Sequence, residues 1–67
     1  MKFRVNHFED VNGVRSLVRS QVLRGAHALK ALLLYLQPEA PVEDCRCTNR
    51  YGEYRNGTTL VRAVALR

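Results

Sequence analysis

Residues 11–37 read VNGVRSLVRSQVLRGAHALKALLLYLQ, and the fold turns on how this stretch is read. Val11, Val14, Val18, Val22, Gly25, Leu29, Leu32 and Leu36 follow one another in steps of three and four. That spacing gathers apolar side chains on one face of an α-helix and predicts a helix over about residues 12–37. Pro38 ends it, because proline cannot continue the hydrogen-bond ladder. Asp10 or Asn12 would cap its start. The opposite helical face carries Ser16, Arg19, Ser20, Arg24, His27 and Lys30, as a solvated face should. Leu23, Ala31 and Leu34 interrupt it on either side of His27. The reading that follows is a second apolar stripe, Leu23, His27, Ala31 and Leu34, buried against another copy of the chain, with a dimer as the first expectation. His27 between two such chains would make their association pH-sensitive.

Outward from this stretch, the N-terminal side reads as a strand over residues 1–8. Met1, Phe3 and Val5 alternate with Lys2, Arg4 and Asn6, the period of a half-buried strand. On the other side, Gln37–Pro41 forms a stiff connector, and two strands follow, about 43–55 and 58–66. Asn56-Gly57 between them suits a two-residue hairpin turn. With that loop, Arg55 pairs with Thr58, Arg62 with Tyr51, Val64 with Asn49 and Leu66 with Cys47. The Leu60, Val64 and Leu66 side is the expected core. The order strand, helix, hairpin gives a single α+β domain of βαββ type, a long helix on a three-stranded sheet. The most apolar strand, 58–66, belongs in its centre.

Composition narrows the function. The chain has 67 residues, 46% of them hydrophobic and 25% charged, which fits one globular domain. A domain this small buries only about 60% of its unfolded surface and gains from a partner. Its longest apolar run, Ala31–Leu36, is far short of a bilayer span. With no apolar leader either, the expectation is a soluble, cytoplasmic protein with no membrane association. Eleven Lys and Arg against six Asp and Glu give a net charge of +5. The acidic residues Glu9, Asp10, Glu39, Glu43 and Asp44 cluster near the two ends of the expected helix, so the charge is segregated.

Three groups of residues invite a chemical reading. Cys45 and Cys47 lie two apart and match no usual zinc spacing, so no metal or cofactor is expected. Cys47 reads as a small core residue and Cys45 as a partly exposed thiol. His7, Glu9 and Asp10 sit together at a strand end, but no further group supports acid–base chemistry, and no enzyme activity is expected. The basic residues are the strongest of the three. Arg46, Arg50 and Arg55 run along one strand with Tyr51 and Tyr54 between them, and Arg62 faces them from the next. Arg and Tyr are the side chains enriched at protein interfaces. The expectation is a small non-enzymatic regulator or inhibitor, of the kind phages and mobile elements carry, docking Arg46, Arg50, Tyr51, Tyr54, Arg55 and Arg62 on an acidic protein. The alternative is direct DNA or RNA binding through the same hairpin.

Overall fold

The structure is a computed structural model that describes residues 1–36 and 44–66. It contains β1 (Lys2–Val11), β2 (Val14–Arg24), α1 (Ala28–Leu36), β3 (Cys45–Cys47), β4 (Tyr51–Asn56) and β5 (Thr59–Ala65). The strands form one sheet in the order β2-β1-β5-β4-β3, antiparallel throughout. The long helix on a three-stranded sheet is therefore corrected: the protein is a five-stranded antiparallel sheet with one short helix. The expected connector, with Pro38, lies outside the described residues.

The correction starts at Asn12-Gly13. Asn12 has φ 53° and Gly13 has φ 79°, and Val11 pairs with Val14 across them. Two adjacent residues with positive φ make the turn whose twist matches that of two antiparallel strands. The chain reverses here instead of entering a helix, and β2 runs back along β1 from Val11↔Val14 to Lys2↔Arg24. The spacing of Val14, Val18 and Val22 did not distinguish the two outcomes. Residues four apart share a side of a helix and of an unbroken strand alike; in β2 the unpaired Val18 shifts the register, so Val14 ends on the helix side of the sheet and Val22 on the other. Branching at Cβ then favours the strand, where valine loses less rotamer freedom.

The helix begins only at Ala28. His27 caps it, its Nδ1 accepting from the Lys30 amide at 3.2 Å. Ala28, Ala31 and Leu32 are fully buried against Phe3, Val5, Val61 and Ala63, with Tyr54 closing the cluster. Leu23, Tyr35, Leu36, Cys45 and Ala65 pack around it. The helix is seated at Gly52. A Cβ there would lie 2.8 Å from Leu32 Cδ1, 2.9 Å from Cys47 Sγ and 3.2 Å from Ala28 Cβ.

The C-terminal half is a three-stranded meander, not one hairpin. The expected 43–55 strand folds back at Thr48–Arg50, where the Thr48 amide donates to the Tyr51 carbonyl at 2.7 Å. The Thr48 hydroxyl accepts from the Tyr51 amide at 3.2 Å, the local bonding by which threonine stabilises turns. Between β4 and β5, Asn56 pairs with Thr59 and Gly57 alone has positive φ. The register is thus two residues away from the expected one: Arg62 pairs with Glu53, and Val64 with Tyr51. β5 is the central strand, as its apolar content predicts. Its core-facing side, however, is Val61 and Ala63, and Val64 on the other side is 45% exposed.

Candidate functional site

The helix covers one side of the sheet, and the other side has no layer over it among the described residues. Register assigns its side chains in three rows across the strands. The first runs Val22, Arg4, Val64, Tyr51; the second Ser20, Asn6, Arg62, Glu53, Arg46; the third Leu17, Phe8, Leu60, Arg55. The middle row is polar throughout, and the rows on either side are mostly apolar with Arg4 and Arg55 among them. Leu60 is 3% exposed yet lies outside the core cluster, so this side has a small apolar floor of its own. The Arg62 guanidinium stands 6.0 Å from the centre of the Phe8 ring, a cation–π distance.

Glu53 organises the basic end of the face. It accepts from the Tyr51 hydroxyl at 3.1 Å and from Arg62 Nε at 3.4 Å, and Arg55 Nη2 lies 3.6 Å away. Burial pushes its carboxyl upward, but the Tyr51 bond and the two arginines outweigh that and hold it below the ordinary value. The Tyr51 hydroxyl shifts the other way, raised by burial and by the same carboxylate. Beside this hub is a cavity of about 440 Å³ lined by Asp44, Arg46, Glu53 and Arg55. One carboxylate thus gathers two guanidiniums and a phenol around it.

Of the residues expected to bind a partner, Arg46, Tyr51, Arg55 and Arg62 come together on this face. Tyr54 does not: it points to the helix side, 8% exposed, and accepts from Asn56 Nδ2 at 3.1 Å. Arg50 lies in the β3–β4 turn, exposed at the end of the sheet. Arg4, Phe8, Leu17 and Val22 belong to the face and were not anticipated. The outward alternation of Arg4 in β1 was legible, whereas Leu17 and Val22 were assigned to a helix. The stripe expected to pair two chains has no common surface. Ala31 is fully buried, Leu23 packs on the core from β2, His27 caps α1, and Leu34 is 39% exposed on the helix.

His7 and Glu9 form a second polar cluster, on the helix side of β1. The Glu9 carboxylate only accepts, so His7 Nε2 donates to it at 2.6 Å. In the neutral ring Nδ1 then accepts from the Tyr35 hydroxyl at 2.7 Å. Thr59 Oγ1 donates to the same carboxylate at 2.9 Å. The His7 bond, then the Thr59 bond, hold the Glu9 carboxyl below its ordinary value. Burial raises the Tyr35 phenol. A phenol kept protonated is a hydrogen-bond donor and not a nucleophile, so the chain Tyr35–His7–Glu9–Thr59 ties α1 to β1 and β5. Asp10 takes no part in it and pairs with Arg15 at 3.4 Å.

The two cysteines exchange their expected places. Cys45 packs against the core, and Cys47 is the exposed one, its thiol raised by burial of the sulfur. Among the described residues, no three His, Cys, Asp or Glu side chains are placed to hold a metal. No described helix is long and apolar enough to cross a membrane. No family model, curated protein or solved structure matches the chain.

Proposed function

We propose that the protein is a non-enzymatic binding protein, a regulator or inhibitor that docks the uncovered side of its sheet on an acidic protein surface. The observation that carries this reading is the mixture on that face. Arg4, Arg46, Arg55 and Arg62 share it with Val22, Val64, Leu17, Phe8, Leu60 and Tyr51. Protein interfaces combine an apolar centre with arginine and tyrosine anchors in this way. A net charge of +5 adds long-range attraction toward an acidic partner.

Nucleic acid is the rival reading, since Tyr51 and Phe8 share the face with the arginines and aromatic side chains can stack on bases. One feature weighs against it: Arg62 already occupies the space over the Phe8 ring, where a base would stack. The test is fluorescence anisotropy of labelled mixed-sequence single-stranded and duplex DNA at low and near-physiological salt. The expected result is weak binding that vanishes as salt rises. Binding that survives physiological salt and is lost in Arg46→Glu/Arg55→Glu would overturn the protein reading in favour of the nucleic-acid one.

A further inference from the structure

The β2 strand has 11 residues and lies at one edge of the sheet, bonded to β1 alone among the described strands. Residues 14–20 are exposed throughout. Val14 is 62% exposed, Leu17 and Val18 55%, and Val22 45%. Long apolar edges invite another strand, and folded chains usually shorten them or place charge on them. The charge on this one has a single sign. β2 carries Arg15, Arg19 and Arg24 and no acidic residue.

We propose that β2 takes up an extended acidic segment of a protein partner as a sixth strand of the sheet. Main-chain hydrogen bonds along the free edge would supply affinity, and alternate side chains would supply choice. β2 presents Arg15, Leu17, Val22 and Arg24 on the uncovered side of the sheet and Val14 and Arg19 on the helix side, so valines of the segment fit beside Leu17 and Val22 and carboxylates beside Arg19, with Arg15 and Arg24 toward the two ends. Charge selects this occupant over a second copy of the chain. Two β2 strands side by side would bring together arginines from both copies, with no carboxylate on either strand to offset them. Val18 has no partner on β1, and this extra residue bends the strand at mid-length. The edge therefore offers two short pairing stretches, one on each side of Val18. The proposal rests on the acidic-partner reading and adds where and how the partner is gripped.

The probe is a fluorescein-labelled peptide of alternating valine and glutamate, titrated into the whole chain and followed by anisotropy. Two controls accompany it: the same peptide N-methylated at alternate backbone amides, and a valine–lysine peptide. The valine–glutamate peptide should bind, N-methylation should weaken it by about tenfold or more, and the lysine peptide should not bind. Arg15→Glu/Arg19→Glu should weaken binding by about tenfold, and Arg46→Glu/Arg55→Glu should leave it within about twofold. If the first double variant melts early, Val14→Glu at its exposed site repeats the comparison. Equal binding of the N-methylated peptide would reduce the effect to charge attraction and overturn strand addition. Binding lost only in Arg46→Glu/Arg55→Glu would overturn it too, while leaving the sheet-face reading standing. A dimer that excludes the peptide would make the second copy the occupant and overturn the proposal.

Discussion

At the scale of single residues, two backbone positions and two carboxylates hold the arrangement. Asn12 sits at φ 53°, where most side chains crowd the backbone and asparagine or glycine do not. Asn12→Val should cost about 1–2 kcal/mol, and Asn12→Gly should cost little, in urea unfolding of the two variants. Equal losses would show that the turn does not depend on its left-handed residue. Gly52 is the seat of the helix, and a methyl group there meets Leu32, Cys47 and Ala28. Gly52→Ala should destabilise by roughly 1–3 kcal/mol, the usual cost of overpacking, and an unchanged unfolding midpoint would contradict the close seating. Glu9 and Glu53 both titrate below the ordinary carboxyl value of 4.5. A carboxyl lowered on folding adds stability above its unfolded value, and that stability is lost as pH falls through the folded one. Stability should therefore fall on acidification below about pH 4.5, and Glu9→Gln should flatten the fall. A variant with the same acid slope as the parent would remove Glu9 from this role.

At the scale of elements, the sequence was legible where one period or one turn signal stood alone. β1 alternates cleanly, and its outward Lys2, Arg4 and Asn6 and inward Phe3 and Val5 are where the pattern places them. The apolar strand 59–65 is central for the same reason. The stretch 11–37 was not legible from periodicity, because valines four apart satisfy a helix and a strand alike. Asn12-Gly13 carried the deciding information. The same dipeptide was read as a turn at 56–57, where the actual turn is instead Gly57-Thr58. Once β2 is a strand, the expected second helical stripe loses its geometry. Of the candidate binding residues, strand parity put Tyr51, Arg55 and Arg62 on the side of Leu60 and Val64, expected to be the core, and Arg46, Arg50 and Tyr54 on the other; a shift of two residues keeps the first three together, and Arg46 joins them because the turn at Thr48–Arg50 pairs it with Glu53. Tyr54 falls on the other side by alternation with Glu53 and Arg55, and Arg50 lies in the turn between β3 and β4. The β2 edge makes its own prediction at this scale. Amide exchange should be fastest in Val14–Ser20, which is exposed on both sides, and slowest in β5, which is bonded on both edges. Uniform protection along β2 in the isolated chain would mean that a second strand already covers it.

At the scale of the molecule, the described residues form a sheet of five strands with one helix to cover one of its sides. The other side keeps four arginines, six apolar or aromatic side chains and a carboxylate, Glu53, in contact with two of those arginines and Tyr51. A chain of 67 residues with so much surface uncovered gains stability from whatever it binds. Whether this side meets an acidic protein is decided by affinity capture from nuclease-treated lysate with the immobilised parent chain and with Arg46→Glu/Arg55→Glu, both checked for equal melting. An acidic protein should be held by the parent, resist nuclease and be absent from the variant. The same proteins on both chains, or proteins released by nuclease, would contradict the acidic-partner reading.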